Sequence, residues 1–272
     1  MSTLTIDALK AKGVEATEVE TVKNGITCKG YQIDTGNERI RPVIYFSEGE
    51  TVDAFVERAL KIVERPAPDF DVDSLITRER ILQETYLCLQ KKGNENIVKR
   101  SFLNLELYVR MSVDTRSRND VATIKITPQM LEMVGVMEDE LFEAAKKNSK
   151  AKIKIFSMAE ALGLPEDAMG AMSFDIGTYD CKCHGLAVIV LADILHIYAE
   201  AKSYSGMYLI PSSTEECLIL PEEIGDPQML AALVDEVNIS TVDPILQVDP
   251  VVYHYNDATR NVSIAATYER GC

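Results

Sequence analysis

The sequence has no tryptophan, three histidines and no apolar run longer than the seven residues 186–192. Each shortage removes a class of function. Seven residues cannot cross a bilayer core of about 30 Å, which takes about 20. Aromatics make up 7% of the chain, too few for a sugar-stacking platform. With His184, His196 and His254 as the only imidazoles, acid–base and metal chemistry have few arrangements open to them. There is no glycine-rich phosphate loop, no Gly-x-Ser-x-Gly elbow and no zinc helix of the His-x-x-Glu type. Residues 1–10 hold no run of signal-peptide type, and the six cysteines include no obvious disulfide spacing, so reduced thiols in a cytoplasm are expected.

Positive charge is scarce in one segment. Residues 155–259 carry Lys182 and Lys202 against 17 Asp and Glu, a balance equal to the net −15 of the whole chain. Such a surface repels nucleic-acid phosphates and anionic lipid, and suits a basic protein partner. No nucleic-acid or membrane partner is expected, and the oligomeric state is left open. Basic residues gather elsewhere, at Lys146, Lys147, Lys150, Lys152 and Lys154 and again among Lys91, Lys99, Arg100, Arg110, Arg116 and Arg118. Lys146 and Lys147 close a predicted helix opened by Glu138-Asp139-Glu140, the order that the helix dipole favours.

What is present is ordinary globular composition, 46% apolar and 26% charged. Strands are predicted at 26–33, 40–46, 207–210 and 217–220, with hairpins at 103–111/122–127 and 251–255/261–267. Helices are predicted at 52–63, 78–91, 138–147, 186–202 and 227–237, the last with Met229, Leu230, Leu233, Val234 and Val237 inward, and short ones from Thr127-Pro128 to Gly135 and from the capping box Ser157-Met158-Ala159-Glu160 to Gly163. The grouping implies an α+β fold, a mainly antiparallel sheet with helices packed on it. Residues 1–65 read as a β-rich segment plus helix, and 65–72 as a linker. Residues 73–272 then form a main α+β domain with an acidic C-terminal portion, unless the whole is a single domain.

The chemistry-bearing clusters are few. Cys181-Lys182-Cys183-His184 holds zinc-ligand types, and Cys217 could approach it. The one-residue spacing and the missing second pair argue against it, so no metal or other cofactor is expected. Ser212 and Ser213 follow a strand, with Glu216 and Asn238 as companions for a hydrolytic site. Glu215, Glu216, Glu222 and Glu223 bracket the 217–220 strand as candidate partner-binding acids.

Several stretches carry a family pattern: Leu103-Asn104-Leu105-Glu106 with Tyr108-Val109-Arg110, Ile126-Thr127-Pro128-Gln129-Met130-Leu131, Tyr208-Leu209-Ile210-Pro211-Ser212-Ser213, and Val234-Asp235-Glu236-Val237-Asn238. They resemble an uncharacterised family of clostridial and related Firmicutes bacterial proteins, a domain of unknown function, over roughly residues 25–260. The resemblance implies no established activity, cofactor or catalytic residue. It implies histidine at the position of Glu215, so an activity that needed that histidine would be missing here. The leading expectation is a non-catalytic protein-binding module acting through the acidic 155–259 surface. The alternatives are a hydrolase around Pro211-Ser212-Ser213 and an acidic nucleic-acid mimic that occupies a DNA-binding protein.

Overall fold

A computed structural model describes residues 2–36, 41–47, 49–64, 72–113, 122–165, 174–179 and 184–269. Residues 65–71 of the linker expected at 65–72, the hairpin loop at 114–120, and Ile40, Arg116, Arg118, Cys181, Lys182 and Cys183 lie outside the described residues. The chain divides into two compact units, Met1–Ile76 with Gly93–Glu95, and Thr77–Lys92 with Asn96–Cys272.

The first unit runs α1 (Ser2–Ala11), β1 (Ala16–Lys23), β2 (Ile26–Ile33), β3 (Val43–Ile44), α2 (Val52–Glu64) and α3 (Val72–Leu75). β1 and β2 pair antiparallel through Asn24-Gly25, both at positive φ, the conformation that a two-residue hairpin requires. Leu9, Tyr31, Ile33, Phe55, Val56 and Ala59 form its core. A strand was expected at 40–46, and the part of it that pairs with β2 is β3. β3 is two residues long, and the main partner is β1, whose two largely wet faces leave no apolar period to read. α1 also replaces part of a region expected to be β-rich.

The second unit begins with α4 (Arg78–Glu84), β4 (Thr85–Lys91), β5 (Lys99–Phe102), β6 (Leu105–Val113) and β7 (Ala122–Lys125). β4 flanks one edge of β6, and β5 and β7 share the other. Residues 78–91 were expected to be one helix. The helix stops at Thr85, whose backbone is extended, because Tyr86 to Leu89 are buried on both faces and a short unbroken apolar run fits strand as well as helix.

α5 (Pro128–Val134) and α6 (Glu138–Lys152) follow. α5 starts at a Thr127 cap that accepts from Met130 N and ends at Gly135 at φ 65°, as proline at N1 and glycine at C′ favour. α6 packs on β4. There the Ser149 hydroxyl accepts from Leu87 N at 2.8 Å, and Tyr179 Oη donates to Leu87 O at 2.8 Å. Both outward backbone groups of Leu87 are thus satisfied by side chains. Ser149→Ala is expected to cost about 1–3 kcal/mol, the penalty for a buried unpaired amide, measured as a shift in urea midpoint.

The rest comprises β8 (Ile153–Ser157), α7 (Met158–Leu162), β9 (Asp175–Tyr179), a 3-10 helix (Gly185–Val190), α8 (Ala192–Lys202), β10 (Gly206–Pro211), β11 (Cys217–Pro221), α9 (Pro227–Thr241), β12 (Val251–Asn256) and β13 (Asn261–Thr267). Its six strands form one sheet in the order β13-β12-β10-β11-β9-β8. Every strand pairing among the described residues is antiparallel, which with the packed helices makes the fold α+β. The single helix expected at 186–202 is broken into the 3-10 turn and α8. Among the described residues no helix is long and apolar enough to cross a membrane.

Candidate functional site

Strand period sets the two faces of the six-stranded sheet. Met207, Leu209, Cys217, Ile219, Tyr253 and Tyr255 point to one face and are fully buried. Ile210, Leu218, Leu220 and Val252 point to the other, where α9 lies over β10, β12 and β13. α9 enters on Asp226, whose side chain accepts from Gln228 N, and Pro227 sits at its first turn. Its buried stripe is Ala231, Val234 and Asn238, with the Asn238 amide donating to Val248 O at 3.0 Å.

The inward set expected on α9 is therefore corrected. Val234 is inside, but Met229 is 72% and Leu233 is 54% exposed, because the helix meets the sheet along the small residue Ala231. Leu230, Leu233 and Val237 instead form one wall of an apolar groove of about 330 Å³. Leu218 and Leu220 of β11 make the opposite wall, Ile210 and Val234 are also in the lining, and Phe174, Ser212, Ile224 and Gly225 complete it. From Ser203 to Thr259 the chain has no lysine or arginine and ten carboxylates. Lys202 is engaged by Asp175 at 3.2 Å. Glu223, Asp226 and Glu236 are exposed on the groove's own elements and connections.

The residues expected to carry chemistry separate. Ser212 Oγ lines the groove and donates to Glu216 Oε1 at 2.9 Å. Ser213 is buried and accepts from Glu215 N at 3.0 Å, a local turn bond. Among the described residues no histidine contacts either hydroxyl, because each imidazole meets a carboxylate instead: His184 Nδ1 lies 3.3 Å from Glu215 Oε1, His196 Nδ1 is 2.8 Å from Asp257, and His254 Nε2 is 2.6 Å from Glu222. The hydrogen bonds from His254 and from Ser205 hold the Glu222 carboxyl below its usual range. Asn238 supports the 238–248 turn rather than the serines. Of the four candidate partner-binding acids, Glu215 turns inward, Glu216 and Glu222 are hydrogen-bonded, and Glu223 is open to solvent. Among the described residues no three His, Cys, Asp or Glu are grouped to hold a metal.

A second cluster escaped sequence reasoning. β4 and β6 bring Tyr86 opposite Arg110, Cys88 opposite Tyr108 and Gln90 opposite Glu106, and β7 sets Lys125 opposite Arg110. Alternation along 103–111 separates Tyr108 and Arg110 from Leu105, Leu107 and Val109, as in a hairpin with one buried face. Tyr108 is buried and Arg110 half-buried, because the 3-10 helix packs over β4. His184 enters this cluster at φ 56°, a left-handed conformation uncommon for histidine, with its ring 6.2 Å from that of Tyr86. Burial, together with the positive charges of Arg110 and Lys125, pulls its pKa down to about 3. The imidazole is therefore neutral at pH 7, and its approach to Glu215 is not an ion pair. Burial likewise pushes the Cys88 thiol up to about 12, so it is not a poised nucleophile. The available signal was the alternation of Tyr, Cys and Gln in β4, which places polar groups on one face of a buried strand.

Residues 4–257 match the model of a family of unknown function (DUF5688). The chain belongs to that family. The match takes in the groove and the buried cluster alike, so both lie within what the DUF5688 model describes. No curated protein and no solved structure matches the chain.

Proposed function

We propose that this member of the family is a non-catalytic cytoplasmic binding module of a clostridial or related bacterium, and that it seats an apolar, basic segment of a partner protein in the groove beside α9. The observation that carries this reading is the apolar groove that the described residues leave open, walled by β11 and α9 in a stretch of chain without a lysine or arginine. Leu and Ile side chains entering such a groove contribute about 1.5–3 kcal/mol each when fully buried. Flanking carboxylates add attraction and orientation for lysine and arginine, and reject acidic segments. The exposed Met229 and Leu233 continue the apolar surface outward, as expected of a helix-in-groove contact.

The test is fluorescence anisotropy of a labelled amphipathic leucine–lysine helix against the full chain. Binding is expected to weaken about tenfold between about 0.05 and 0.5 M salt as screening shortens. Leu233→Arg, an exposed site where little stability is at stake, is expected to weaken it at least tenfold. Equal binding of the matching leucine–glutamate helix, or undiminished binding by Leu233→Arg, would overturn the proposal.

A further inference from the structure

Of the three imidazoles, His196 is placed unlike the others. His254 commits Nε2 to Glu222 at 2.6 Å, and His184 is buried beside the positive charges of Arg110 and Lys125. His196 stands on α8 with its side chain 20% exposed. Its Nδ1 lies 2.8 Å from Oδ1 of Asp257, in the turn between β12 and β13. The same oxygen accepts from Tyr255 Oη at 3.0 Å. The hydrogen bond from His196, joined by that from Tyr255, holds the Asp257 carboxyl below its usual range, so it is an anion at neutral pH. An ionised carboxylate only accepts. The neutral imidazole therefore keeps its proton on Nδ1 and its lone pair on Nε2.

That second nitrogen faces another carboxylate. Glu200 follows His196 by four residues, which puts the two side chains on one face of the helix. Nε2 is 3.6 Å from Glu200 Oε1, beyond hydrogen-bond reach. The Glu200 side chain is 66% exposed, and among the described residues no lysine or arginine pairs with it. Two tetrahedral ligands at about 2.0–2.2 Å from zinc stand about 3.4 Å apart. The separation here is close to that, and rotation of the exposed Glu200 closes the difference.

The arrangement behind the ring is the one that metal-ligating histidines use. A carboxylate on the other nitrogen fixes tautomer and ring orientation and strengthens the ligating nitrogen as a donor. Packing accounts for the Asp257 contact, which ties α8 to the β12–β13 turn, but not for a second carboxylate set at Nε2. Asp193 lies one turn earlier on α8 and is held by Lys150, so the protein supplies two donors. A resident zinc ion has three or four. Two make an exchangeable site, completed by water or by a donor from another molecule.

We propose that His196 Nε2 and Glu200 chelate a divalent transition-metal ion of the zinc class, with Asp257 as the positioning residue behind the imidazole. The site goes beyond the protein-binding reading and does not depend on it.

The test is zinc chloride titrated into the isotopically labelled full chain and read from the imidazole nitrogen shifts. With three histidines in the chain, single variants assign every signal. A saturable shift of His196 Nε2 is expected, with Nδ1 still protonated. Magnesium chloride should not reproduce it, because that hard cation keeps its waters and prefers oxygen ligands. Glu200→Gln, at an exposed position, should leave Tm unchanged and weaken zinc at His196 about tenfold. Asp257→Asn should weaken it about 10–100-fold, the usual loss when such a supporting carboxylate is removed. Zinc taken up by cysteine thiols alone, with His196 unmoved, would overturn the proposal. So would a shift at Nδ1 in place of Nε2, an equal response to magnesium, or full affinity in Glu200→Gln, which would reduce the site to a lone imidazole. Should Asp257→Asn fail to fold, the Glu200→Gln result decides alone.

Discussion

Gly185→Ala is expected to destabilise the second unit by at least about 3 kcal/mol, the scale of severe overpacking in a core. A Cβ at this position would lie 2.3 Å from Gly177 O, 2.4 Å from Thr178 Cα and 2.8 Å from Glu215 O. All three are backbone atoms of packed segments, so no side-chain rotation relieves the clash. Gly185 N also donates to Glu215 O at 2.6 Å, which ties the 3-10 helix to the 211–217 loop. Displacing it moves Glu215 and His184 together. Gly163 is the control. It sits at φ 66° with nothing within 4 Å of a built Cβ, so Gly163→Ala meets only the left-handed backbone penalty of about 1–2 kcal/mol. Urea denaturation of the two variants should separate these costs. Equal midpoints would contradict the close approach at Gly185.

The pH dependence of stability should carry the signature of His184. In the folded chain its pKa is about 3, lowered by burial and by Arg110 and Lys125, with Glu215 and Tyr86 also facing it. In the unfolded chain it titrates near 6.5. Between these values the unfolded state holds a proton that the folded state does not, so stability rises with pH in this window and falls on acidification. One such group gives a slope of about 1.4 kcal/mol per pH unit. His184→Asn removes the titration and keeps a residue that tolerates positive φ. Urea midpoints from pH 7 to 4.5 should fall more steeply for the native chain than for this variant, by about one proton. The lowered Glu222 and Asp257 carboxyls also lose their stabilisation as pH falls, but they do so in both proteins. Parallel curves would show that His184 is not held neutral.

Local chemistry explains which elements were legible in sequence. The starts of α5 and α9 and the cap of α7 rest on a hydroxyl or carboxylate with proline or glutamate nearby, and these signals act within four residues. The β12–β13 hairpin alternates over its own length and could be read directly. β4 could not, because both its faces are buried and its alternation of Tyr, Cys and Gln marks no wet face, and α1 and β1 are short or wet. On α9 the apolar positions were correct but their direction was not: the small Ala231 sets the contact, which hydrophobicity alone does not rank.

The candidate sites were less legible than the fold. The acidic imbalance of 155–259 spans the stretch that holds the groove, but the groove itself depends on α9 lying over β10, β12 and β13 beside β11. The buried cluster depends on register between β4, β6 and β7 and on the approach of Glu215 to His184, 31 residues away. Alternation in a single strand shows which residues share a face, not whether water or protein covers it.

The groove reading is tested most directly by amide NMR of the labelled full chain titrated with the leucine–lysine helix. The expected result is a set of shift changes confined to β11, the 222–226 connection and α9, led by Leu218, Leu220, Leu230, Leu233 and Val237. Changes centred on any other face, or none at concentrations where anisotropy reports binding, would contradict it.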